Sequence, residues 1–156
     1  MADALPPGSV IGILGGGQLG RMLAVAASRL GLRCHIYDPA AASPAGDIAQ
    51  FVTTGAWDDT GAQYPLAAAC DVVTFEFENV PAASLDAIEA KAPVFPPRAA
   101  LAVSQDRLTE KDLITGLDLK TAPYAPVSSL QDLHDALTLI GTPSILKTRR
   151  LGYDGK

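Results

Sequence analysis

Long uninterrupted apolar runs are missing from these 156 residues, and the amino end, Met-Ala-Asp-Ala-Leu-Pro-Pro-Gly, has no basic segment leading into an apolar one. Neither a membrane span nor a secretory signal is expected, so the protein reads as cytoplasmic. Cysteine is scarce. Cys34 and Cys70 are the only two, both in apolar surroundings and without a metal-ligand spacing, so buried reduced thiols are expected. Aromatics make up 6% of a chain that is 48% apolar, which directs the core towards aliphatic and alanine packing and favours α/β layers over an aromatic-packed sandwich. Cations are outnumbered, and the net charge of −5 argues against a general nucleic-acid binder.

The few cations are unevenly placed. Lys147, Arg149, Arg150 and Lys156 lie in the last ten positions, opposed only by Asp154, so that segment is +3 and offsets part of the −8 carried by residues 1–146 to leave the net −5. An acidic body ending in a basic, glycine-bearing loop suggests a local site for an anionic small molecule.

What is abundant is glycine in one place. Ile11 to Met22 reads Ile-Gly-Ile-Leu-Gly-Gly-Gly-Gln-Leu-Gly-Arg-Met, an apolar run that breaks into glycines and restarts with helical spacing. Gly15, Gly17 and Gly20 hold the one, three and six positions of GxGxxG, and exposed amides at such a helix start suit an anion. Val10–Leu14 is the expected central strand. Leu19, Met22, Leu23, Ala26, Ala27 and Leu30 form the expected buried stripe of the helix, which Gly31 can end.

Arg33 to Tyr37 reads as a second strand ending at Asp38, 18 residues past Gly20. Ala40 to Gly46 is a loop and Phe51 to Thr53 a weak third strand. Thr60 to Ala69 is a helix expected to break near Pro65, and Asp71 to Phe77 a strong strand. This alternation implies a parallel, doubly wound, Rossmann-like sheet with ligands at the strands' carboxyl ends. Asn79 can cap the next helix, Val94-Phe95 forms a short strand, and the first domain is expected to end between Arg98 and Ser104. A helix follows with Leu108, Leu113, Ile114 and Leu117 apolar. Ser129 and Asp132 open a further helix with stripe Leu130, Leu133, Leu137 and Ile140, closed by Gly141, and Ser144 to Lys147 is an expected strand.

Three stretches could carry chemistry. GxGxxG with Asp38 fits a dinucleotide site in which the acid meets a ribose, but equally plain strand-to-helix geometry with Asp38 as a turn residue before Pro39. Glu76 and Glu78 share one face of a strand end, where carboxylates need a cationic or hydrogen-bonding partner, although Glu78 can simply favour a helix start. Lys147 followed by Thr-Arg-Arg-Leu-Gly-Tyr-Asp-Gly-Lys156 can set a lysine and loop amides around a phosphate, or form a basic surface hairpin; it is not a Walker loop.

Four stretches, Gly15 to Met22, Thr74-Phe-Glu-Phe-Glu-Asn-Val80, Asp106-Arg-Leu-Thr-Glu-Lys111 and Lys147 to Lys156, together resemble the ATP-grasp enzymes. Within them, the chain is similar to the 5-(carboxyamino)imidazole ribonucleotide synthases of purine biosynthesis. The resemblance implies a preATP-grasp domain over residues 1–103 and the beginning of an ATP-grasp module over 104–156, the family continuing well past this point. It implies ATP contacts at Arg107, Lys147, Gly152, Tyr153, Asp154, Gly155 and Lys156. The aminoimidazole ribonucleotide pocket would draw on Gln18, Leu19, Glu76, Tyr153 and Asp154. Bicarbonate as co-substrate, Mg²⁺ held by residues beyond this chain, and a homodimer are also implied. Biotin carboxylases and glycinamide ribonucleotide transformylases are the rivals within the superfamily, but carry a more continuous glycine run or a serine-rich lid. A nicotinamide-dependent oxidoreductase would leave Lys147 to Lys156 unused.

Overall fold

The computed structural model describes residues 4–152. By its internal contacts the chain forms two compact units, Met1–Leu101 and Ala102–Lys156.

The first unit is a parallel four-stranded sheet with helices on both faces. Its strands are β1 (Val10–Leu14), β2 (Arg33–Asp38), β3 (Phe51–Thr54) and β4 (Val72–Phe75), in spatial order β3-β2-β1-β4. An isolated parallel bridge from Val73 to Val94 extends the sheet past β4 at the expected Val94 position. Because successive strand residues face opposite ways, neighbours in sequence enter different cores. Ile13 and Ile36 pack with Ala24, Ala27 and Ala45 of the helix α1 (Gln18–Arg29) side. Leu14, Tyr37 and Val73 pack with Leu66 of α2 (Thr60–Ala68), and with Leu85 and Ile88 of α3 (Ser84–Glu89).

Several expectations are corrected. The stripe on α1 is displaced: of the expected residues Ala27 alone is buried, together with Gly20 and Ala24, whereas Leu19 and Met22 are 58% and 59% exposed and Leu23 and Leu30 are exposed as well. The cause is steric. A β-carbon built on Gly20 would lie 2.5 Å from the Gly15 carbonyl oxygen, so only the small-residue face can come this close to the turn. Pro65 does not break α2, which runs through it to Ala68. Strand β4 stops at Phe75, although the Glu76 amide still donates to the Leu14 oxygen at 3.1 Å. Asn79 caps nothing: its side chain donates to Glu78 at 3.3 Å, and α3 begins five residues later without a side-chain cap. Both cysteines are free thiols, Cys34 buried and Cys70 half-buried. Burial, with smaller contributions from Asp71 and Cys34, pushes the Cys70 thiol up to about 11, so it stays protonated.

A helix α4 (Arg98–Ser104) contains the division between the units. The second unit holds α5 (Arg107–Gly116) and α6 (Leu130–Ile140). The α6 start is the expected capping box, with the Ser129 hydroxyl accepting from the Asp132 amide and the Asp132 carboxylate from the Ser129 amide. Its stripe is only partly covered: Leu130 is exposed, and Ala136 is the buried apolar residue among the described residues 102–152. Ser144 to Lys147 is not a strand. A strand needs a neighbour for its backbone groups, and no described strand pairs with this segment, where Ile145 and Leu146 are 81% and 66% exposed. No described helix is long and apolar enough to cross a membrane.

Candidate functional site

The carboxyl ends of β1, β2 and β4 converge on Gly15 to Gly17. Gly15, at φ +108°, turns the chain from β1 towards α1, a conformation that disfavours any side chain, and its amide donates to the Tyr37 oxygen at 2.9 Å. Glu76, just past the end of β4, lies across this turn. Its Oε1 accepts from the Gly17 amide at 3.1 Å, and a β-carbon on Gly15 would meet the same oxygen at 2.7 Å. From the other side Asp38, at the end of β2, accepts from the Gly16 amide through Oδ2 at 2.6 Å and from the Ala40 amide through Oδ1 at 2.7 Å. Asp38 is thus a turn residue, as the reading before Pro39 allowed, and it also braces the glycine turn. The expectation of amides left open to an anion fails at Gly16 and Gly17, whose donors already have carboxylate partners.

Burial raises the Glu76 pKa above the ordinary glutamate value, opposed by the Gly17 amide and assisted by the charges of Asp38 and Glu78. A raised acid contributes stability that is fully present below its unfolded value, 4.5, and is lost as pH rises through the folded value. Glu76→Gln keeps the oxygen facing Gly17 and removes that charge. The variant is therefore expected to melt above the parent near neutrality, with the gap closing as pH falls to about 4.5. Thermal melts of both across that range check this; a gap independent of pH refutes the assignment.

Gln18 opens α1 and, with Arg21, Ala42, Ser43, Pro44 and Asp47, lines a shallow hollow of about 340 Å³ beside the glycine turn. The loop after β2 is held there by the Ala45 amide on the Gly16 oxygen at 2.9 Å and by the Arg21 guanidinium on the Pro44 oxygen at 2.9 Å. Leu19 follows Gln18 with its side chain exposed.

The second unit organises the basic segment separately. Asp106 caps α5 by accepting from the Leu108 and Thr109 amides at 2.9 and 3.4 Å. The same carboxylate takes a two-pronged bond from Arg149, Nε to Oδ1 at 3.1 Å and NH2 to Oδ2 at 2.7 Å. The Arg149 hydrogen bonds hold the Asp106 carboxyl below the usual aspartate range. Arg107 closes the arrangement: its amide donates to the Arg149 oxygen at 3.0 Å and its guanidinium to the Gly152 oxygen at 2.9 Å. Arg107 and Gly152, both expected nucleotide contacts, are therefore in contact, while Lys147 is exposed on the irregular stretch before them. Tyr153, Asp154, Gly155 and Lys156 lie outside the described residues. Sequence reading missed Asp106 and Arg149 as a pair, since a contact 43 residues apart leaves no local signal. Among the described residues no group of three or more His, Cys, Asp or Glu could hold a metal.

Over 153 residues the chain is 51% identical to the N5-carboxyaminoimidazole ribonucleotide synthase of Brucella melitensis, covering 98% of this chain and 42% of the relative. It is 44% identical over 155 residues to the bifunctional purine synthesis protein purC/E of Dictyostelium discoideum, covering 99% of this chain and 16% of that protein. Among solved structures, the ADP complex of an N5-carboxyaminoimidazole ribonucleotide synthetase superposes with a TM-score of 0.90 at 40% identity, over all of this chain and 41% of the other. A synthase from Aspergillus clavatus in complex with ADP and 5-aminoimidazole ribonucleotide gives 0.75 at 31% identity, over 87% of this chain and 37% of the other. The chain thus spans about two fifths of the single-function synthases it matches. The ribonucleotide synthetase preATP-grasp domain model matches residues 9–105, and the chain, with its parallel sheet and glycine turn, belongs to that family.

Proposed function

We propose that this chain supplies the aminoimidazole-facing turn and the first nucleotide contacts of an ATP- and bicarbonate-dependent carboxylase that makes 5-(carboxyamino)imidazole ribonucleotide in purine biosynthesis. On this reading residues 1–103 are the preATP-grasp domain and 104–156 the start of the ATP-grasp domain. The observation that carries it is the Glu76 carboxylate lying over Gly15 and Gly17 at the carboxyl end of the parallel sheet, where a ligand's amino group would find an acceptor. The relatives' names and the Aspergillus ligands support the choice of substrate.

In the reaction, a bicarbonate oxygen attacks the γ-phosphorus of ATP, ADP leaves, and carboxyphosphate forms. The exocyclic amine of aminoimidazole ribonucleotide then attacks the carboxyl carbon and phosphate departs. Phosphoryl transfer asks the protein chiefly to position and neutralise charge, a task suited to Arg107, Lys147 and the amides from Gly152 to Lys156. Glu76, with Gln18 and Leu19, would orient the aminoimidazole, and Tyr153 and Asp154 would join it from the lid. Mg²⁺ accompanies the nucleotide, neutralising phosphate charge when bound. The whole is read as a cytoplasmic homodimer, and the outward apolar face of α1 around Met22 is a surface such a dimer could cover.

In an enzyme carrying this sequence together with a complete ATP-grasp module, Lys147→Ala should raise the KM for ATP about 10- to 100-fold, the weight of one charge-assisted contact. Glu76→Ala should impair use of aminoimidazole ribonucleotide and leave nucleotide binding nearly unchanged. Steady-state kinetics with each substrate varied in turn tests both, and parent-like constants for both variants would overturn the residue roles.

A further inference from the structure

In a dinucleotide-binding turn, the amides between the glycines and at the helix start point at a pyrophosphate. Here the three consecutive amides of that turn have acceptors within the protein. Gly15 donates to the Tyr37 oxygen at 2.9 Å, Gly16 to Asp38 at 2.6 Å and Gly17 to Glu76 at 3.1 Å. Two of the three acceptors are carboxylates arriving from opposite strands, β2 and the end of β4, so their positions are set by the sheet. An anion entering this turn would have to displace both and then sit beside them. A group that presents N–H or O–H donors meets no such barrier, because a carboxylate that accepts one hydrogen bond from Gly17 retains further acceptor capacity.

We propose that Asp38 and Glu76 set the ligand class of the glycine turn: they occupy the places of phosphate oxygens, close the Gly16 and Gly17 amides to anions, and leave a mouth that accepts hydrogen-bond donors. Asp38 acts here as a specificity-determining residue. It has both oxygens engaged on Gly16 and Ala40 and needs no contact with the ligand. The proposal extends the reading of Glu76 above but does not depend on turnover, since its readout is the turn itself.

The test is a titration of the ¹⁵N-labelled 156-residue chain with inorganic pyrophosphate, following the Gly16 and Gly17 amide resonances. In the parent both are expected to stay in place through millimolar additions. In the double variant Asp38→Ala/Glu76→Ala, both should shift saturably, with an affinity about tenfold or more above the parent's. Should that variant lose the dispersed spectrum of a folded chain, the shape-preserving pair Asp38→Asn/Glu76→Gln decides instead. It keeps oxygens facing the amides without their charge and should gain affinity by a smaller factor, about threefold. Saturable shifts at Gly16 and Gly17 in the parent would overturn the proposal, as would no gain in the folded variant. An inactive whole enzyme with the expected titrations would instead discredit only the assigned reaction.

Discussion

Alanine at position 20 is expected to lower the unfolding midpoint of this chain by about 5 to 10 °C, although alanine is the better helix former. Within a helix the exchange gains about 1 kcal/mol from propensity. Against that, the new methyl would lie 2.5 Å from the Gly15 carbonyl oxygen, a main-chain atom at the base of the turn that cannot rotate aside. Overpacking costs about 1–3 kcal/mol, and a rigid neighbour places the cost at the upper end, for a net loss of about 1–2 kcal/mol. For a unit of this size each 1 kcal/mol moves the midpoint by about 4–8 °C. Gly116→Ala provides the contrast, since at the end of α5 an added β-carbon meets nothing within 4 Å. That variant should match or slightly exceed the parent. Calorimetry of both separates close approach from propensity, and equal midpoints for Gly20→Ala and the parent would refute the steric account.

Asp106→Ala should release the basic segment. One carboxylate caps α5 and receives both prongs of Arg149, so its loss unties the helix start and residues 149–152 together. Arg149 and Arg150 are themselves trypsin sites, and cleavage there is expected to accelerate about tenfold as local opening becomes easier. Asp106→Asn, which keeps an oxygen for the α5 amides but loses the charge, should fall between. If Asp106→Ala is cut no faster than the parent, the carboxylate does not hold the segment. Because the Arg149 hydrogen bonds depress the Asp106 pKa, its contribution is present above the unfolded value, 3.8, and is lost only as pH falls through the lower folded value. The clasp therefore operates across the neutral range.

Much of the first unit was legible because its signals are local. An apolar run broken by glycines marks β1 and the turn into α1, and Gly31, at φ +75°, ends the helix region as its position suggests. The α1 face was misread for a physical reason: periodicity counts apolar side chains, whereas the side that meets the sheet is chosen by size. The same limit explains Ser144 to Lys147, since a strand is made by its neighbours as much as by its own residues. At the candidate site, Glu76 was legible as a carboxylate at a strand end in need of a donor. The brace from Asp38 to Gly16 and the clasp from Asp106 to Arg149 were not, because each joins segments that only the fold brings together.

The uneven burial of the two units bears on how the polypeptide is made. Residues up to Leu101 enclose apolar cores on both faces of the sheet, whereas the described part of 102–152 buries Ala136 and leaves Leu113, Leu117, Leu130, Leu139, Ile145 and Leu146 open. Chains emerge from the ribosome amino end first, and units fold as they emerge. The glycine turn would therefore stand finished before residues 102–152, with these apolar side chains open, had left the ribosome. The leucines of the second unit, and not the sheet, are then the surface a chaperone would meet.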